Sequence, residues 1–342
     1  MAFAVRSVLQ PSPFAPLHLL SARPIVLHAL DWAFEPGAPT YRLLRALRDR
    51  RVDFLVSLSW YQAKPPLVAK LVRLEHRVGR LGDHRVTILA SSSAELEPFR
   101  RAGLSALLVG NGALVDERIY RPLPGRRAHF DAVYDARLSS FKRHPLAAEV
   151  PNLALITYPY KGRVDPDYRE AIEPLLARAH LFNGNPLTSA YRRLSAPEVN
   201  QALNRCAVGL ALSREEGGMY ASTQYLLAGL PVVSTPSRGG RDEFYHSDYV
   251  RIVDPDPRAV AAAVAEMRTC KTPPDEIRAR TLATVEEHRR RLFHCVDAIY
   301  ASQGCDRSFE AEWPALFVDK LAPLEGDETA AILSAIVAAH AG

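Results

Sequence analysis

"AVGLALSREEGGMYASTQYLLAGLPVVST", residues 207–235, is the stretch whose reading decides the fold. AVGLALS is an aliphatic run of strand length. REEGG follows as the turn at its carboxyl end. A helical segment comes next, and Gly229 falls where a helix commonly ends, at C′. LPVVST is a second, β-branched strand. Strand, turn, helix and strand in so short a span make a βαβ unit, and hence a parallel sheet. Open α/β sheets bind ligands at the carboxyl ends of their strands. The helix is expected to start near Gly217. Its first N–H groups have no internal partner and carry partial positive charge. Glycines let a ligand approach that backbone, and a phosphate suits the place. The same glycines equally suit a plain tight βα turn.

Outward from this unit the pattern repeats. Strands are expected at 23–30, 52–59, 84–91, 105–111, 130–136, 152–158, 179–184 and 249–255. They are nearly continuous in hydrophobicity, as buried parallel strands are. Helices are expected at 168–179, at 195–206 with a Ser195/Glu198 capping box, and at 257–270 with a proline in the first turn. The alternation predicts a doubly wound α/β protein. Residues 110–130 hold three glycines and two prolines and read as a linker. The domains are accordingly drawn as 1–118, 119–310 and a helical tail, 311–342, whose apolar face should dock, toward the first domain.

A chain of 342 residues suits two cores. It holds no apolar run of membrane-spanning length. The start, MAFAVRSVLQPSPF, lacks a signal-peptide core, so a cytoplasmic protein is expected. Cys206, Cys270, Cys295 and Cys305 show no C-x-x-C spacing and read as reduced thiols. The net charge is +5. Arginine-rich runs at 42–51 and 286–292 read as solvated helix faces, or as surfaces for a phosphate-rich ligand or an anionic membrane. No aromatics are interleaved as in nucleic-acid binders, and nucleic acid is not expected as a partner.

Two further clusters lie at strand ends. In YDARLSSFKRHPLA (134–147), Arg137 ends a strand and Lys142 follows in the loop, a spacing suited to clamping a diphosphate. Such basic residues are also common where no ligand binds. In TPSRGGRDEFY (235–245), Gly239 and Gly240 follow the next strand, and Arg238 or Arg241 adds positive charge.

Together the clusters resemble the retaining glycosyltransferases of the GT-B fold, in the large family four. Its E-G-F-G…E-A-x-A-x-G-x-P-V-V pattern is similar to Glu216-Gly217-Gly218-Met219, then Gln224 through Gly229-Leu230-Pro231-Val232-Val233. Its G-R-L-x3-K-G resembles Ala136-Arg137-Leu138 with Lys142-Arg143. Its P-N-G-V-D…F-x-P hinge resembles Gly110-Asn111-Gly112…Asp116…Tyr120-Arg121-Pro122, and its G-G-x-x-E loop resembles Gly239-Gly240-Arg241-Asp242-Glu243. The ordered set spans residues 85–265.

The resemblance implies two Rossmann-like doubly wound domains facing a central cleft, and transfer of a sugar from a nucleotide-diphosphate donor with retention of configuration. Arg137 and Lys142 would neutralise the diphosphate. Glu216, with the N–H groups of Gly217, Gly218 and Met219, would contact the donor sugar and phosphate, and Tyr220, Gly239 and Gly240 would belong to the same donor site. Gln224 stands where the family has a ribose-binding glutamate. In RPIVLHALDWAF, Leu30 takes the family's histidine position; His28, on the same strand face, and Asp31 are the substitutes. Trp60 and Tyr61 are candidate acceptor platforms. No cofactor or metal is implied; the Asp254-Pro255-Asp256 match lies away from the cleft. The acceptor would be a saccharide or glycolipid, with peripheral membrane contact possible. A second reading is a nucleotide-sugar-binding protein of the same fold with little transferase activity. A dehydrogenase would need G-x-G-x-x-G after the first strand, and the sequence has none.

Overall fold

The aliphatic runs assemble into two sheets. The computed structural model describes residues 17–159, 164–188, 190–317 and 328–341. The N-terminal reading of residues 1–14 and part of the tail, residues 318–327, lie outside the described residues. The first sheet holds β1 (Leu17–Ala22), β2 (Ile25–Leu30), β3 (Val52–Ser57), β4 (His84–Ala90) and β5 (Ala106–Leu108), in that order. Strands β2 to β5 run parallel, joined by α1 (Thr40–Ala46), α2 (Pro65–Gly79) and α3 (Ser93–Arg101). Strand β1 is antiparallel to β2. It is absent from the sequence expectations because only Arg23 and Pro24 lie between it and β2, and so short a break leaves the apolar runs looking like one.

The second sheet holds β6 (Phe130–Asp135), β7 (Leu153–Ile156), β8 (His180–Leu181), β9 (Cys206–Ala211), β10 (Val232–Ser234) and β11 (Val250–Ile252). Its order is β11-β10-β9-β6-β7-β8, all parallel. Between the strands run α4 (Pro166–Arg178), α5 (Ala196–Leu203) and α6 (Tyr220–Leu227), and α7 (Pro257–Met267) follows β11. Ser195 and Glu198 form the expected capping box of α5, and Asp256 caps α7 by accepting from Ala259 N–H. The chain steps outward from β6 to β8, returns to lay β9 beside β6, then continues the other way. That reversal creates a switch point between β6 and β9, where adjacent strand ends lead to opposite sides and leave a crevice.

The last three helices are α8 (Pro274–Ser302), α9 (Phe309–Leu316) and α10 (Glu328–Ala341). Leu27, Phe54 and Ile88 on one face of the first sheet pack with α1, α2, α3 and with Ile332 and Ile336 of α10. Val26, Leu55 and Leu89 on the other face pack with Leu292, Phe293 and Val296 of α8 and with Phe309 and Trp313 of α9. The end of the chain thus supplies the first lobe's second layer. Helix α8 spans both lobes, since Ile277 and Val285 belong to the core of the second. No described helix is long and apolar enough to cross a membrane.

The linker is where one expectation is corrected. Linker residues 111–116 are buried, so their backbone polar groups need partners. Helix α8 provides them. Arg289 donates to Ala113 O and Val115 O (both 2.9 Å) and pairs with Glu117. His288 Nδ1 accepts from Gly110 N–H at 2.9 Å. Arg278 donates to the carbonyls of Glu117 and Tyr120. The 286–292 run is therefore not simply a solvated face: His288 and Arg289 point inward while Arg290 is exposed. Arg289→Ala strands two buried carbonyls and should cost about 2–3 kcal/mol. Arg290→Ala should cost less than about 0.5 kcal/mol. Urea unfolding of the two variants checks this; equal midpoints would remove the linker clamp.

Candidate functional site

Strand β6 ends at Asp135, and the loop beyond it carries Arg137, Phe141 and Lys142. Strand β9 ends at Ala211, and the turn beyond it carries Glu216 to Met219. The two loops flank the switch point, and the geometry brings their charged groups together. Lys142 Nζ bonds Glu216 Oε1, both side chains nearly buried. Lys142 Nζ lies 5.2 Å from the centre of the Phe141 ring, and the Arg137 guanidinium carbon lies 4.9 Å from the same centre. Both cations therefore gather about one aromatic ring.

The loops are held from below. Tyr134 donates to Lys142 O. Tyr225 of α6 accepts from Asp135 N–H at 2.6 Å, tying β6 to the helix after the glycine turn. His144 contacts Tyr168 OH (2.7 Å) and Ala136 O (3.3 Å). Arg143 and Arg241 bind the strand-end oxygens: Arg143 donates to Leu212 O and Thr235 Oγ1 (both 2.6 Å), and Arg241 to Ser213 O and Thr235 O. Arg241 is 1 % exposed. It is a structural cation, contrary to the expectation that it adds charge to an open cleft. Arg238 remains half-exposed beside Glu215 at 3.3 Å.

The helix start is shifted from Gly217 to Tyr220, because Glu216 and Gly217 pair with the neighbouring turn: Glu216 N–H donates to Arg238 O (2.9 Å) and Gly240 N–H to Gly217 O (2.7 Å). Among the described residues no hydrogen bond uses the N–H of Gly217, Gly218 or Met219. Tyr220, the first residue of α6, packs against the cores of both lobes. Gln224, on α6, is 7 % exposed.

The glycines meet protein backbone. A Cβ on Gly217 would stand 2.6 Å from Leu58 O and 2.7 Å from Ser59 C, both in the first lobe. Gly239 has φ +125°, and a Cβ there would stand 1.9 Å from Glu216 O. Gly218 abuts Asn111, and Gly240 abuts Ser91 O. The close approach these residues permit is that of one lobe to the other and of one turn to the next.

Side chains continue the contact between lobes. Trp60 sets its ring 4.9 Å from Phe141 and 5.7 Å from the Arg137 guanidinium. Lys64 pairs with Glu215 at 2.8 Å. Glu243 accepts from Ser93 N–H (2.6 Å) and Oγ (2.8 Å), capping α3 of the opposite lobe. Lys64, Ser93 and Glu215 were not candidates, since nothing in the sequence pairs residues some 150 positions apart.

Asp31 holds the Trp60 loop. It accepts from Ser59 N–H (3.1 Å), Ser59 Oγ (2.6 Å) and Gln62 Nε2 (3.2 Å). Glu95 receives Gln62 N–H at 2.7 Å and two serine N–H groups, while burial pushes its carboxyl up. His28 is not brought to the charged cluster. It lies buried in the first lobe, 2.8 Å from Ser57 Oγ and beside His18. Burial lowers its pKa to about 3, with His18 adding to the effect. The four cysteines are free thiols. Among the described residues no group of three His, Cys, Asp or Glu is placed to hold a metal.

No family model matches this sequence, and no curated protein matches it. Solved structures do. Anabaena Alr3699/HepE in complex with UDP-glucose matches with TM-score 0.53 at 15% identity, covering 80% of this chain and 99% of that one. Sucrose-phosphate synthase (tll1590) from Thermosynechococcus elongatus matches with TM-score 0.59 at 16% identity, covering 81% and 74%.

Two measurements test the site. Gly217→Ala should force the lobes apart at a cost of about 1–3 kcal/mol. Small-angle scattering should show a larger radius of gyration, and an unchanged radius would mean the contact yields elsewhere. His28 and His144 are neutral in the folded protein, both lowered to about 3 by burial, and His288 to about 4. The unfolded chain binds a proton at each near 6.5. Stability should thus be full above pH 6.5 and fall as pH drops toward 4, by up to about 1.4 kcal/mol per unit for each. His144→Gln should flatten that slope in pH-dependent urea melts, and an identical slope would count against a neutral buried His144. The likeness to solved structures, at these identities, shows the architecture: this chain has the GT-B fold, two Rossmann-like domains facing a common cleft.

Proposed function

We propose that the protein is a cytoplasmic, retaining glycosyltransferase that moves a sugar from a nucleotide-diphosphate donor to a saccharide or glycolipid hydroxyl, without a metal or organic cofactor. The observation that carries this reading is the gathering of Arg137, Lys142, Glu216 and the free N–H groups of Gly217, Gly218 and Met219 at the switch point. Charge grows on the diphosphate as the bond to the sugar carbon breaks, and fixed donors aimed there act on the transition state. Arg137 and Lys142 supply cations, and the glycine turn supplies oriented amides. The leaving diphosphate takes the bonding pair. The acceptor oxygen bonds the same carbon from the same face, and its proton passes to a diphosphate oxygen. Glu216 holds Lys142 until the donor binds and is positioned for the sugar hydroxyls. Gln224 offers both an acceptor and donors to the ribose hydroxyls. Asp31 acts through Trp60, as a positioning residue. His28 is assigned to the core.

The pairing of Lys142 with Glu216, and the neutral Gln224, favour one second reading: a nucleotide-sugar-binding protein with little turnover.

A thermal-shift screen of UDP-, GDP-, ADP- and dTDP-sugars should show one selective ligand, and release of its nucleoside diphosphate should follow with acceptor. The product anomer, read by NMR, should match the donor, with no loss in EDTA. Arg137→Ala and Lys142→Ala should each lower kcat/KM by roughly 30- to 150-fold, equivalent to about 2–3 kcal/mol. Full activity in both variants sinks the diphosphate clamp; a selective shift without turnover selects the second reading.

A further inference from the structure

The basic charge of the chain is concentrated in one place. Residues 36–85 hold eleven Lys and Arg against four Asp and Glu, a net of +7 where the whole chain carries +5. Away from the cleft, a shallow cavity of about 330 Å³ opens between α1 and α2 of the first lobe. Gly37, Tyr41, Arg42, Arg45, Arg77 and Leu81 line it. It has three guanidinium groups in its wall and no carboxylate.

All three arginines are exposed. Among the described residues none of them makes an ion pair; of the other basic residues in this stretch Arg48, Arg51, Lys64, Lys70 and Arg85 do, while Arg50, Arg73 and Arg80 do not but lie outside the cavity wall. One of the three is already oriented. Arg77 Nη1 donates to Tyr41 OH at 3.0 Å, with its guanidinium 5.8 Å from the Tyr41 ring centre. Tyr41 OH in turn donates to Phe34 O at 2.7 Å. Fixing an arginine beforehand reduces the ordering cost of binding. Arg42 and Arg45 stand one turn apart on α1, so they flank the same opening. Guanidinium is the group best matched to phosphate, by charge and by its planar fork of donors.

We propose that Arg42, Arg45 and Arg77 form a phosphate-binding site on the first lobe, separate from the cleft. It takes the phosphate of a lipid headgroup or of a free phosphate compound, and it is independent of whether the cleft transfers sugar.

Two arms tell the sources apart: titration of the full-length protein with inorganic pyrophosphate, and co-sedimentation with vesicles of 30 mol% phosphatidylglycerol in phosphatidylcholine, at low and at physiological salt. The variant is R42S/R45S/R77S. A control, R178S/K271S/R290S, removes the same charge from exposed positions outside the cavity. The site is upheld if the native protein binds in either arm and R42S/R45S/R77S weakens that binding at least tenfold while the control changes it less than twofold. Binding to vesicles alone identifies a headgroup; binding in both arms identifies phosphate in general. The proposal is overturned if the native protein binds in neither arm, or if both variants weaken binding equally, which would mean net charge alone. Nucleotide-sugar thermal shifts should be the same in native protein and R42S/R45S/R77S, so that failure at this site is distinguishable from failure of the cleft reading.

Discussion

Everything in this architecture depends on satisfying the backbone of the segment that joins the lobes. Residues 111–116 run through the interior, where an unpaired carbonyl costs about 1–3 kcal/mol. From α8, Arg289 bonds Ala113 O and Val115 O within this segment, while His288 and Arg278 bond Gly110, Glu117 and Tyr120 on either side. An arginine suits the task because one guanidinium reaches two or three carbonyls at once. Because the three side chains sit on one helix, the crossing point is set as a unit, and α8 carries that setting about 44 Å, the length of its 29 residues, into both cores.

The same economy governs the cleft. The facing walls meet through main chain, with glycines where a side chain would collide: Gly217 against Leu58 and Ser59, Gly240 against Ser91. Around these contacts sit a few directed polar ones, Lys64 with Glu215 and Glu243 with the start of α3. The charged cluster of Arg137, Lys142 and Glu216 lies at the edge of this contact, beneath Trp60 of the opposite lobe. Trp60 is thus the first lobe's addition to a cluster that the second lobe builds by itself.

Much of this was legible in the sequence. The βαβ unit at 207–235 is local, and so are the Ser195/Glu198 box and the Gly229 helix stop at φ +74°. Local patterns are what periodicity and turn chemistry report. Arg137, expected at a strand end, stands instead in the loop beyond β6 with Lys142. What was not legible depends on distant partners. Whether Arg289 faces water or a buried carbonyl is decided by the linker, some 175 residues earlier. Gly217 looks the same in sequence whether its open side admits a phosphate or another stretch of main chain. His28 shares a strand face with the family's position, yet its surroundings in the core decide its charge.

The borrowed lower layer of the first lobe has a consequence for synthesis. Strands β2 to β5 are complete by residue 108, yet Val26, Leu55 and Leu89 have no cover until α8 and α9 emerge, some 200 residues later. A nascent chain leaving the ribosome thus presents a greasy sheet face while the whole second sheet is still being made, and domain-by-domain folding from the N-terminus is closed to it. The lobe made first is finished last.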